Sequence, residues 1–291
     1  MEWERAKNYI LIAIVALNLG LGVLLLIGHN RYTLSPERVG NISTLLWDND
    51  ILLYTNPMRR FPPMRPLGIS GFYYDNDWLI SVFFTDPEYV VQVEPEEPHL
   101  QYLFETHYAT LAITNNGFVS FDKNHPEDEW GIERPDFDHA AAIGMADDFV
   151  NLHFPDFVQD MVFDEYDGGG IHVVYRQEYR GRLIHSNFIK FLIDDRGIAW
   201  IDMQFGRVVG HIGTPQVIFA PDEALLAFMQ LVRHRAAGNP ISIHHIDMVY
   251  FHEYSSNLPG VVYTAVPFYR IFIRDSEDPI LINAYTNVIV G

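Results

Sequence analysis

The first hydrophobic run is unbroken. Tyr9 to Gly28 reads YILIAIVALNLGLGVLLLIG and holds no charged residue. At about 1.5 Å per residue, such a run predicts a helix able to cross a hydrocarbon core of about 30 Å. It ends in Gly28, His29, Asn30 and Arg31, without the small-residue site of a cleaved signal peptide. The expectation is an uncleaved transmembrane helix at 9–28, following a short cytoplasmic segment at 1–8. Arg5 and Lys7 before the run balance Arg31 and Arg38 after it. Orientation therefore rests on the brevity of the leading segment. The chain is expected to be a single-pass cell-membrane protein, N-terminus cytoplasmic, with its bulk extracytoplasmic. Asn18 lies mid-span, flanked by Ala16 and Gly20 in a small-xxx-small pattern. Its carboxamide either bonds its own helix backbone or seeks a polar partner on another helix. Ala16, Asn18 and Gly20 are the candidate membrane contacts.

Beyond the run the pattern alternates. A linker is expected over 29–70: Ser35 and Pro36 start a short helix, 42–54 is helical or extended, and the four prolines of NPMRRFPPMRP (56–66) forbid a regular helix. GFYYDNDWLISVFF (71–84) reads as a hairpin turning at Asp75-Asn76-Asp77, and 89–93 as a short strand. Residues 108–121 read as a second hairpin turning at Asn115-Asn116-Gly117. HPEDEWGIERPDFD (125–138) is an acidic loop. Asp138 caps an amphipathic helix over 138–152, and strands follow at 161–166, 171–179, 183–193 and 198–205. Pro221 opens a second helix that Gly238 stops, followed by strands at 241–254, 261–274 and 280–289. The predicted fold class is α+β, with tandem helix-plus-antiparallel-sheet modules at 71–215 and 216–291.

Composition narrows the function. The formal net charge is -19, and no basic cluster exists to replace counterions on nucleic acid, so no nucleic-acid partner is expected. There is no Cys, which excludes thiol catalysis and Cys-based metal sites. The only Lys residues are Lys7, Lys123 and Lys190. Aromatic residues make up 14% of the chain, which favours strands.

A search for chemistry finds no G-x-S-x-G, P-loop, H-E-x-x-H or EF-hand loop. Gly168-Gly169-Gly170 reads as a turn between strands. His244, His245, His252 and Glu253 fall in one strand. His244 and His252 share a face there but lie about 26 Å apart at 3.3 Å per residue, too far to hold one metal. The pairs Asp147-Asp148, Asp164-Glu165 and Asp194-Asp195 read as turn and helix-surface groups, because adjacency does not make two carboxylates converge on a cleft. No catalytic residue, cofactor or metal is expected, and the chain reads as a non-enzyme.

The two chain ends carry a resemblance. MEWERAKNYILIAIVALNLGL, with Glu2, Trp3, Arg5, Lys7 and Asn18, resembles the opening of the YycI (WalI) family. Pro267-Phe268-Tyr269-Arg270-Ile271 and Leu281-Ile282-Asn283-Ala284-Tyr285-Thr286 resemble that family's C-terminal strands, with Tyr269 where Trp is more usual. The family motif residues are Pro267, Tyr269, Arg270, Asn283 and Tyr285. The resemblance implies a regulator of a YycG/WalK-type sensor histidine kinase in Gram-positive bacteria. Such a protein acts in cell-wall control with a YycH-like protein, through transmembrane and extracytoplasmic contacts. The tandem units are similar to the PepSY-like folds of YycH. Two other readings stay open: an anchored wall-polymer hydrolase, and a module binding a cation or small ligand.

Overall fold

The computed structural model describes residues 2–71, 75–123, 137–164, 170–233, 240–252, 261–274, 276 and 278–290. Most of the 125–138 loop, Gly168, Gly169, Gly238 and Glu253 lie outside the described residues. The chain divides into two compact units: 1–64, 215–247 and 269–291 form unit 1, and 65–214 and 248–268 form unit 2. Among the described residues, fifteen strands belong to a large mixed sheet, with parallel as well as antiparallel ladders. This corrects the expected fold class. The chain is not a transmembrane helix followed by tandem antiparallel modules. Strand pairing between segments distant in sequence, such as 51–53 with 241–243, replaces the expected local repeats.

Unit 1 begins with α1 (Glu2–Asn30). Among the described residues, no helix is long and apolar enough to cross a membrane. The expected span at 9–28, and the single-pass membrane location built on it, are thereby withdrawn. α2 (Pro36–Trp47) starts as expected: Ser35 Oγ accepts the Arg38 amide and Pro36 occupies the first turn. Its buried face, Ile42 and Leu46, leads into β1 (Ile51–Leu53).

Unit 2 holds β2 (Leu67–Ser70), α3 (Asn76–Phe83), a 3-10 turn at Pro87–Tyr89, β3 (Val91–Val93), β4 (Leu100–Glu105), β5 (Ala109–Thr114) and β6 (Val119–Lys123). Then come α4 (His139–His153), β7 (Phe157–Asp164), β8 (Ile171–Tyr179), β9 (Arg182–Asp194), β10 (Gly197–Gln204) and β11 (Arg207–His211). α3 corrects the first expected hairpin. Asp75 Oδ1 accepts the Asp77 amide and caps a helix, and Leu79 and Phe83, one turn apart, are buried. Eight antiparallel strands run in the order β3-β4-β5-β6-β10-β9-β8-β7. Leu111, Phe121, Val173, Phe191, Ile201 and Met203 bury one face of this array in a cluster with Leu79 and Phe83 of α3 and Ala142, Ala146 and Val150 of α4. β9 is irregular. Its pairing with β8 jumps from Arg176↔Phe188 to Gln177↔Ile184, leaving His185, Ser186 and Asn187 as a bulge.

The remaining elements are α5 (Pro221–Val232) in unit 1, β12 (Ile241–Phe251) and β13 (Val262–Ile273), which pass from one unit's residues to the other's, and β14 (Ile280–Asn283) and β15 (Ile289–Val290) in unit 1. α5 opens with Pro221, and Glu223 Oε2 accepts the Ala220 amide. Arg38 of α2 makes a two-pronged ion pair with Asp222, at 2.7 and 2.8 Å. Strand alternation predicts that Tyr269 and Arg270 face opposite ways, one packed and one exposed. Both are buried, because Phe268 to Phe272 are enclosed on both sides.

Burying Arg270 at 1% exposure requires a counter-charge. Asp247 supplies it, accepting Nε at 2.9 Å and the terminal nitrogen at 2.6 Å. Removing one partner of such a pair strands the other. Arg270→Ala is expected to cost about 3 kcal/mol in urea unfolding. Arg270→Met together with Asp247→Leu should recover most of that loss.

Candidate functional site

The residues singled out by the sequence do not converge on a site. On α1, Ala16 and Gly20 are exposed, and the Asn18 Nδ2 donates to Ile14 O of its own helix at 2.9 Å. The carboxamide is thus satisfied locally. The C-terminal motif residues are framework. Pro267 is buried, and the Tyr269 hydroxyl donates to Phe219 O at 2.7 Å. Tyr285 donates to Met64 O at 2.9 Å, and Asn283 Oδ1 accepts the Tyr285 and Thr286 amides. The acidic residues also have structural partners. Asp147 accepts the Tyr175 hydroxyl, Asp164 pairs with His139, and Asp194 receives both amides and the guanidinium of its own turn. His244 and His245 are exposed beside Phe272. Among the described residues, no group of three His, Asp or Glu is placed to hold a metal.

The bulge in β9 brings polar groups inward in unit 2. Asn187, fully buried, donates from Nδ2 to Gln177 Oε1 at 2.6 Å and to Gly206 O at 3.1 Å. Ser186 Oγ and His252 Nδ1 share a hydrogen bond of 2.8 Å. Burial lowers the His252 pKa from the usual 6.5 to about 4, so the ring is neutral at pH 7. Ser186 and His252 are 6% and 7% exposed. The hydroxyl is not offered to a substrate, and the pair reads as internal structure.

The two groups held by Asn187 lie in the wall of a cleft of about 510 Å3. Its lining comes from five segments: Trp78 of α3, His153 at the end of α4, Phe154 to Phe157, Gln177 of β8, and Phe205 to Val208 between β10 and β11. Phe154 is the hub. Trp78, Phe157 and Phe205 meet it edge-on with ring centroids at 5.8, 5.9 and 5.6 Å. Burial lowers the His153 pKa, which keeps its imidazole neutral at pH 7. Asp156 and Arg207 are exposed, and among the described residues neither side chain makes a hydrogen bond or ion pair. The cleft thus combines a flat apolar wall, an amide with its oxygen already engaged, and one charge of each sign.

A second perturbed group stands elsewhere in unit 2. Burial raises Asp202 from the usual 3.8 to about 6, against the opposing pull of the Ser120 hydrogen bond and the Lys190 charge. Lys190 in turn lies over the rings of Phe163 and Trp200 at 5.3 and 5.8 Å.

The sign of the His252 effect is testable. Its folded pKa lies below its unfolded value, so its own contribution to stability is full above pH 6.5 and falls as pH drops towards 4. His252→Gln is expected to be less stable than the parent at pH 7. The gap should close by on the order of 3 kcal/mol at pH 4, read from urea unfolding at the two pH values. A pH-independent gap would contradict the assignment.

No protein-family model matches this chain. No curated protein matches it either. Among solved structures, it is similar to an uncharacterized protein from Eubacterium rectale ATCC 33656, at 11% identity and a TM-score of 0.51, over 83% of this chain and 89% of that one. That likeness is one of fold.

Proposed function

We propose that this protein is a non-enzymatic binding protein with a regulatory role, and that the unit 2 cleft is where it recognises a small ligand. The cleft carries the reading. A volume of about 510 Å3, walls of Trp78, Phe154, Phe157 and Phe205, and a few polar groups on the lining are the build of a small-molecule site. Buried neighbours hold that wall in place before any ligand arrives, which lowers the ordering cost of binding.

The resemblance of the chain ends supports the regulatory half of the proposal. Its partners would be a YycG/WalK-type sensor kinase and a YycH-like protein. The motif residues Tyr269, Arg270, Asn283 and Tyr285 are engaged inside unit 1, so a partner would meet other surface. Trp47 and Tyr54, 68% and 64% exposed in unit 1, are suited to that contact, since aromatic anchors carry much of the energy of protein interfaces.

Indole, a neutral flat probe, is expected to bind the full chain at one site in isothermal titration. Trp78→Ala should weaken it by about threefold to tenfold, the worth of one aromatic contact of about 0.5–1.5 kcal/mol. Saturable binding that Trp78→Ala leaves unchanged would place the probe elsewhere. Independently, affinity purification of the full chain should recover the kinase and the YycH-like protein. Repeated recovery of neither, even after crosslinking, would end the regulatory proposal.

A further inference from the structure

The cleft's charges say more about its ligand than its volume does. Asp156 follows α4, and Arg207 opens β11. Both belong to the lining, and neither side chain has a hydrogen-bond or ion-pair partner among the described residues. Two opposite charges close enough to neutralise each other usually pair, as Arg38 does with Asp222 in unit 1 and Arg196 with Asp194 in unit 2. No such pair joins Asp156 to Arg207, so the cleft lining keeps one positive and one negative position open. The other titratable group of the lining, His153, is kept neutral at pH 7 by burial and adds no third charge.

The remaining polar group favours an anion on one side. Gln177 belongs to the lining and its Oε1 already accepts a bond from Asn187, so the donor of that amide is the group it has left to offer a ligand. Arg207 and Gln177 therefore form a donor pair suited to a carboxylate. Asp156 is the matching acceptor for an ammonium. The aromatic wall, continuous with buried Phe154, Phe157 and Phe205, suits a flat apolar group.

We infer that the unit 2 cleft binds a free α-amino acid with an aromatic side chain. Its carboxylate would lie on Arg207 and Gln177, its ammonium on Asp156, and its ring against Trp78 and the phenylalanine wall. A ligand with only an anion would face Asp156 uncompensated, and one with only a cation would face Arg207. A zwitterion meets both. The inference rests on the cleft being the recognition site, as proposed above.

The test is isothermal titration of the full chain with L-phenylalanine, N-acetyl-L-phenylalanine, L-phenylalaninamide, the dipeptide L-phenylalanylglycine and indole. L-Phenylalanine is expected to bind best, with each capped form weaker by about tenfold, the scale of one charge-assisted hydrogen bond. Arg207→Gln should cost L-phenylalanine about tenfold and leave the amide unchanged. Asp156→Asn should do the mirror image with the N-acetyl form. Both substituted residues are exposed, so the variants should fold like the parent, and circular dichroism checks this. If indole or a capped form binds as tightly as L-phenylalanine, the zwitterion inference is overturned while the cleft remains a binding site. Tighter binding of the dipeptide would overturn the free amino acid in favour of a peptide. If no compound binds, indole included, the binding-site reading fails together with the inference.

Discussion

Polar groups withdrawn from water must find partners inside the protein, and much of this structure follows from that constraint. β13 is enclosed on both faces from Phe268 to Phe272, so Arg270 needs Asp247 and the Tyr269 hydroxyl needs the Phe219 carbonyl. In unit 2 the bulge at His185 to Asn187 turns an amide inward, and that amide holds Gln177 and the Gly206 carbonyl. The bonds that tie these residues therefore also shape the wall of the cleft.

Local patterns were legible where local physics decides. Ser35, Asp138 and Pro221 begin helices as their side chains dictate, and 115–117 turns the hairpin between β5 and β6. Asp75-Asn76-Asp77 misled because an Asp that bonds the amide two residues on can open a turn or cap a helix. The following apolar residues suit either state, and packing of Leu79 and Phe83 in unit 2 decides for the helix. β11 was invisible: it is short, and a register shift at Gly210, with its positive φ, interrupts its pattern. The N-terminal run reads as a span by its length and its lack of charge, yet among the described residues no helix is long and apolar enough to cross a membrane. The cleft could not be read from spacing, because Trp78, Phe154, Gln177 and Arg207 come from segments that only the tertiary fold assembles.

The acidic chain and the charge-balanced cleft fit together physically. A net charge of -19 disperses the protein and repels anions at long range. A zwitterion carries no net charge and is indifferent to that field, and its two ends are read only at contact distance. For the ligand proposed above, the acidity would act as a coarse filter, disfavouring simple anions before contact with the cleft.

Asp202 and His252 are perturbed in opposite senses within unit 2, and their proton uptake has opposite effects on folding. As pH falls from about 6 to about 4, the folded chain takes up a proton at Asp202 that the unfolded chain does not yet bind, which favours folding. Over the same interval the unfolded chain charges His252 while the folded chain resists, which opposes folding. In unit 2 the partly buried Asp202 and the buried His252 thus pull stability in opposite directions over this interval. A flat stability profile of the parent would thus be the sum of two opposed slopes, and acid sensitivity in either direction is one substitution away.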